Sequence, residues 1–181
     1  MLYICCMNII KKIRFVKYIT ALGLFAILLL QIIWLYNMYA FLWNDIKDKA
    51  EDQLWTSVEL EAIYRFENIP ETEQPREITG GPIEEAGNVA KRDIVLQEAL
   101  IKLGYPIAIS QLDSIYTSKL KEQHIQTDIV LNHINMKDAS IIQSVGSSGI
   151  SSFGSIETEI IPIRQDNSEG IQAVILNPYL T

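Results

Sequence analysis

Two histidines, His124 and His133, are the side chains of this chain best suited to metal binding or proton transfer. Zinc sites usually combine a closer pair with a clear third ligand, and neither histidine has one. His133 alternates with Ile129 and Leu131 along a predicted strand, which favours a half-buried, hydrogen-bonded imidazole. We therefore expect no metal site, no catalytic residue and no bound cofactor.

Patterns for nucleophiles and phosphate binding are equally weak. Cys5 and Cys6 lie in the amino-terminal segment, where acylation is conceivable but no further ligand is near. No G-x-S-x-G pattern marks a hydrolase serine. The stretch from Gly146 to Gly154 is rich in glycine and serine, but it lacks the Lys and Ser or Thr that follow the last glycine of a P-loop. It predicts a flexible connection between strands, and the ligand-binding residues stay unassigned.

A long loop is predicted from Glu67 to Gly87, where prolines and glycines replace aliphatic residues. Its four glutamates between Glu67 and Glu77 favour a solvated surface over a calcium site, because calcium needs convergent oxygen ligands. A loop of about 20 residues is often mobile or functional.

The element that positions the rest of the chain is an uncharged segment from Tyr18 to Asn44. As a helix it would be about 40 Å long, enough to cross a hydrocarbon layer of about 30 Å. It is preceded by the basic residues Lys11, Lys12, Arg14 and Lys17. Near its far end lie the aromatic residues Trp34, Tyr36, Tyr39 and Trp43. This arrangement predicts a cytoplasmic stub (1–17), a transmembrane helix (18–44) and an extracytoplasmic domain (45–181) in the inner membrane.

Two other interpretations of the apolar segment remain open. A cleaved signal peptide would need a small-x-small site, which Met38 and Ala40 match poorly. A soluble core helix would need a larger surrounding domain than this chain supplies. The true start codon, Met1 or Met7, is also open.

Charge is distributed unevenly along the 181 residues. Four of the 15 Lys and Arg precede the apolar segment, and 11 follow it together with all 22 Asp and Glu, so the outer part carries 11 minus 22, or −11. An acidic surface repels phosphate backbones, which makes nucleic acid an unsuitable partner.

The outer part begins with an amphipathic helix. One apolar stripe recurs at steps of four, Ile46, Ala50, Leu54, Val58 and Ala62, with Glu61 among the polar residues around it. We expect Asn44 to Arg65 to pack against a dimer mate through Ile46, Ala50 and Leu54, and Trp55 to be a core or dimer contact.

Two further helices are predicted. The first covers Val89 to Leu103 and ends at Gly104; its cap is Asn88 and its core face is formed by Leu96, Leu100 and Leu103. The second begins near Ser110, which has capping-box spacing to Asp113, and continues toward Glu122.

Four strands follow, and together with the helices they predict an α+β fold with helices on one face of a small antiparallel sheet. The strands are Thr127 to Ile134, Ser140 to Val145, Ile156 to Arg164 and Ile171 to Leu176. The last two are expected to form a hairpin. Pro162 places its strand at an edge or a bulge.

This arrangement, with LDSIYTSKLKEQHI (Leu112 to Ile125) and QAVILNPY (Gln172 to Tyr179), resembles the amino-terminal part of bacterial two-component sensor histidine kinases. The resemblance covers nearly the whole chain. It implies a homodimeric receptor in the lipid bilayer. Its outer domain, often PAS-like in this family, would respond to a stimulus that is either a small molecule or an envelope protein. A second membrane helix would begin near Tyr179.

The sequence departs from that family because it contains no second apolar span, no phosphoacceptor His followed by Glu and no glycine-rich ATP-binding boxes. Kinase activity is therefore expected only in a missing carboxy-terminal part, and the chain itself is not expected to be an enzyme. The alternative is a stand-alone, membrane-tethered scaffold or interaction protein. The stimulus and the oligomeric state are not determined by the sequence.

Overall fold

A computed structural model of the chain describes the backbone of residues 2–70, 89–146 and 154–176, and side chains from residue 15 onward except 89–93 within these ranges. Internal contacts divide the chain into two units, Met1–Asp45 and Ile46–Thr181.

The first unit consists of helix α1, which runs over Leu2–Glu67 and continues into the second unit. The prediction that the apolar segment and the amphipathic segment form one helix is confirmed. The apolar side chains from Phe15 to Leu42 are exposed on every side of the helix. An 18-residue stretch of α1 has a mean hydropathy of 2.2, and α1 is the one helix among the described residues that is long and apolar enough to cross a bilayer.

The outer part of α1 supplies one wall of the domain core. Ala50, Leu54, Val58 and Ala62 are at most 3% exposed, so the predicted stripe is confirmed, and Ile46 is half-buried. Ala50 and Leu54 are buried within their own domain, so the prediction that they contact a dimer mate is wrong. Trp55 is half-buried beside this stripe.

Helices α2 (Val89–Lys102) and α3 (Ile109–Glu122) confirm the two predicted helices. α2 ends before Gly104, whose φ of +88° is easily reached by glycine. The prediction that Leu103 is a core residue is wrong, because its side chain lies just after the helix end and is 43% exposed. The capping box is also wrong: Ser110 lies inside α3, and Ala108 occupies the N-cap position without a side-chain cap. Asn88 lies outside the described residues.

The sheet is antiparallel and is formed by β1 (Asp128–Asn135), β2 (Ser140–Gly146), β3 (Ile156–Glu157), β4 (Ile161–Pro162) and β5 (Glu169–Leu176). The described strands have the order β2-β1-β5-β3, and β4 also pairs with β5. The predicted strand from Ile156 to Arg164 is therefore split into two short edge strands, and Pro162 ends the second, as proline at a sheet edge predicts. The α+β fold and the β4–β5 hairpin are confirmed.

One face of the sheet forms the apolar core. Cross-strand neighbours Leu131 and Ala173 are fully buried, as are Ile171 and Ile175 along β5, and α3 packs against β1 and β2. On the opposite face Val130 and Val174 are only half-buried. Along β1 and β5 the sheet therefore has one buried face and one partly exposed face, as in many antiparallel sheets, whereas β2 is largely exposed.

Candidate functional site: a buried polar cluster

The two predicted candidate histidines occupy unrelated positions. His124 is exposed in the turn after α3, with a φ of 60°. His133 lies in β1, and its Nε2 is 2.9 Å from Oε2 of Glu169 on β5. Its side chain is 12% exposed, so the predicted half-buried, hydrogen-bonded imidazole is confirmed. In the part of the chain that the structure describes, no group of three or more His, Cys, Asp or Glu side chains could hold a metal ion.

The other sequence candidates lie largely outside the described side chains. This applies to Cys5 and Cys6, to the loop glutamates after Glu67, and to residues 147–153 of the glycine- and serine-rich connection. The last described residue before that connection, Gly146, has a φ of +131°. A Cβ at this position would lie 2.2 Å from the Ile129 carbonyl oxygen, so the close approach of β1 requires glycine there.

A polar cluster that the sequence does not reveal lies between α1 and α2. Glu61 and Arg65 belong to α1, one turn apart, and Gln97 belongs to α2; they are 0%, 8% and 1% exposed. Arg65 Nε lies 2.8 Å from Glu61 Oε1. Charged side chains are almost never this deeply buried unless they are paired.

The hydrogen bonds of this cluster join three parts of the domain. Arg65 Nη1 donates to the Tyr105 carbonyl (2.6 Å), and Nη2 donates to Gln97 Oε1. Gln97 Nε2 donates in turn to the Val58 carbonyl of α1 (2.9 Å). Glu61 Oε1 accepts the Ala108 backbone N–H (2.9 Å). The cluster therefore ties α1 both to α2 and to the connection between α2 and α3.

The charges of the cluster are only partly compensated. Burial lowers the pKa of Arg65, while the adjacent Glu61 carboxylate acts in the opposite direction. An arginine remains protonated under these conditions because its ordinary pKa is so high. Glu61 also lies at the amino terminus of α3, where the helix dipole favours a carboxylate. Its other oxygen, Oε2, is buried and has no hydrogen-bond partner among the described residues.

Two more helix carboxylates bond to backbone N–H groups of connecting segments. Glu51 Oε1 on α1 accepts the Glu159 N–H (3.0 Å) between β3 and β4. Glu98 Oε2 on α2 accepts the Gln165 N–H (2.9 Å) in the β4–β5 turn, and this bond lowers the pKa of Glu98. Both N–H groups belong to segments between strands, where strand pairing does not supply an acceptor. Each bond therefore links such a segment to a helix.

The described side chains do not enclose a large ligand pocket beside α3. A depression between the end of α3 and β1, next to Leu120, Ile125 and Ile129, holds about 20 Å³, which is room for a single water. Close by in the core, the Tyr116 hydroxyl donates to the Ala50 carbonyl of α1 (3.2 Å), and burial raises the pKa of this phenol well above its usual value. These features hold elements together and present no reacting group.

Sequence reasoning missed the cluster because it treated Glu61 as a solvated residue beside the apolar stripe. A signal was present: Glu61 lies seven residues after Leu54 and four before Arg65, on the side of the helix that carries the stripe.

Comparison of the chain with protein-family models, with curated proteins and with solved structures finds no match.

Proposed function

We propose that this chain is the membrane-anchored, extracytoplasmic input region of a two-component sensor histidine kinase. The observation that carries the proposal is α1, a single helix that contains the apolar segment and then supplies buried residues to the outer domain. On this proposal residues 45–181 lie outside the inner membrane, the kinase core belongs to a missing part, and the protein functions as a homodimer.

Exposure of the apolar segment supports the membrane part of the proposal. Leu24, Phe25 and Ile32 are 59%, 59% and 61% exposed, and the apolar residues around them are similarly uncovered. A large apolar side chain is stabilised by about 1.5 to 3 kcal/mol when it leaves water, so a run of this length in water would be strongly unfavourable. A lipid bilayer removes that cost and allows the helix to satisfy its own backbone.

Charge asymmetry supports the proposed orientation. Four basic residues precede Tyr18 without acidic neighbours, whereas only two, Lys47 and Lys49, lie between Asn44 and Tyr64, among several acidic residues. Basic residues are retained on the cytoplasmic side during insertion. The proposal therefore has the amino terminus inside and the domain outside.

The contacts of α1 support an input role. A stimulus can alter signalling only if it binds two arrangements of the domain with different free energies. Through Glu51, Glu61 and Arg65, α1 is bonded to the β3–β4 segment, to α2 and to the α2–α3 connection. A change in any of these segments would act on the helix that enters the membrane. A dimer contact along α1 would use its uncovered side, where Ile63 and Tyr64 are 38% and 45% exposed.

Labelling of cysteines with a membrane-impermeant maleimide tests the orientation. In a Cys5→Ser/Cys6→Ser background, a Ser118→Cys variant on the exposed side of α3 should be labelled in intact spheroplasts. The native Cys5 and Cys6 should be labelled only after permeabilisation. The opposite pattern would contradict the proposed topology, and a mature protein that begins after Ala40 would contradict the anchor.

The coding sequence that follows Thr181 tests the input role. A second apolar span followed by a kinase core is expected if the chain is a receptor input region. A stop codon, with a stable product of this length in the membrane, would favour the tethered scaffold instead.

A further inference from the structure

We infer that Glu61, Arg65 and Gln97 fix the register of α1 against α2 and the α2–α3 connection, so that this part of the domain accepts a single helix position. The inference concerns residues of the outer domain and does not depend on the proposed sensory function. It rests on which contacts of the helix can be exchanged for others and which cannot.

Apolar contacts around the cluster discriminate weakly between neighbouring registers. Ala62, Ile69 and Leu100 form a buried apolar cluster, and Phe66, Leu96 and Tyr105 pack against it. A slide of α1 by one turn, about 5.4 Å, brings the next residue of the apolar stripe to each position and exchanges one apolar neighbour for another. Cores that keep their volume and pattern tolerate such rearrangement and lose uniqueness before they lose stability.

The polar contacts cannot be exchanged in this way. Arg65 requires the Tyr105 carbonyl and Gln97 Oε1 together, while Glu61 requires the Ala108 N–H. If α1 slid or rotated, a guanidinium and a carboxylate would remain buried without these partners, which is far less favourable than a changed apolar contact. A buried polar residue selects the register of coiled coils by the same effect.

The unpartnered Glu61 Oε2 supports a role in specificity rather than in maximal stability. A buried ion pair contributes most when its remaining lone pairs are satisfied, and this oxygen has no partner among the described residues. The cluster therefore restricts the helix position without being optimised as a source of folding free energy.

A double variant separates specificity from stability. Glu61→Leu/Arg65→Met removes both charges and approximately keeps the side-chain volumes. With the full chain in lipid nanodiscs, we expect a thermal midpoint close to that of the wild type but two or more sets of amide NMR signals for α2 and α3. A single set, with the wild-type proximity of Val58 and Gln97 retained, would overturn the inference.

The matched control is Lys119→Met/Glu122→Leu, which removes an ion pair of 2.9 Å on the exposed side of α3. This variant should keep one set of signals, because neither residue is buried against another helix. Multiple sets in the control as well would show that loss of charge in general disturbs the domain, and would also overturn the inference.

Hydrogen exchange of the wild-type chain provides a test that does not require the double variant to fold. The Ala108 amide, which donates to Glu61, should exchange as slowly as the amides of the central strands at Leu131 and Ala173. Exchange at Ala108 that is faster by about 100-fold or more would show that α1 leaves this position by local opening. That result would overturn the inference.

Discussion

The buried sheet face and the polar cluster are both largely inaccessible to water but are stabilised in different ways. Leu131, Ala173 and Ile175 are fully buried through non-directional apolar packing, whereas Glu61 and Arg65 depend on directional contacts with named partners. The apolar face can exchange one hydrocarbon group for another at modest cost. The cluster cannot lose one partner without leaving a buried charge uncompensated.

The strongest test of this difference is Arg65→Met. The variant leaves the Glu61 carboxylate buried without its countercharge, and we expect a loss of about 3 to 5 kcal/mol in the free energy of unfolding. Denaturant unfolding of the full chain in nanodiscs measures it. Lys102→Met is the control, because Lys102 is 69% exposed in its pair with Glu98 and its removal should cost less than about 1 kcal/mol. Equal losses in both variants would contradict the comparison.

On the apolar side, Leu131→Ala should lower the free energy of unfolding by about 2 to 5 kcal/mol through a cavity in the core. Leu131→Met keeps the volume, so its cost should stay below about 1.5 kcal/mol. The same denaturant titration distinguishes the two variants. If Leu131→Met proved as damaging as Leu131→Ala, the sheet face would not tolerate the exchange of one apolar side chain for another.

Gly146→Ala tests a position of the sheet that is not expected to tolerate a larger residue. The new Cβ would meet the Ile129 carbonyl oxygen, and the positive φ is unfavourable for alanine, so the loss should exceed about 1 kcal/mol. Gly154→Ala shares the positive φ, at +81°, but has open space around it and should cost less. Thermal midpoints of the two variants compare the effect of the contact with that of backbone strain.

The smallest effect is expected for a helix carboxylate nearer the surface. The Gln165 N–H lowers the pKa of Glu98, so the unfolded chain binds a proton at higher pH than the folded chain does. The stabilisation is complete above the unfolded pKa, about 4.3, and is lost as the pH falls through the lowered folded value. Glu98→Gln should flatten this part of the pH–stability curve.

Glu122→Gln, which leaves the Glu98–Gln165 bond intact, should retain the pH dependence of the wild type. Thermal midpoints measured between about pH 7 and pH 3 compare the variants over the range in which carboxylates titrate. A Glu98→Gln curve that coincides with the wild-type curve would contradict the assigned bond.

Periodicity allowed most elements of the fold to be predicted. The apolar run, the stripe from Ala50 to Ala62 and the alternation along β1 and β5 all reflect neighbours within a few residues of one another. The split of the predicted third strand into β3 and β4 was only indicated by Pro162. No local sequence pattern indicated that the predicted capping box would be absent. The reason is that the Ala108 N–H bonds instead to Glu61, 47 residues earlier.

The sequence by itself determined that this protein has a helix able to span a bilayer and an α+β domain, because apolar periodicity and turn residues act locally. Only the tertiary structure decided that Glu61, Arg65 and Gln97 are buried together. Arg65 finds Gln97 and Tyr105 at separations of 32 and 40 residues, and such partners are selected by how helices pack. A charge beside an apolar stripe has the same local pattern whether it faces water or a partner, so its role depends on what the fold places opposite it.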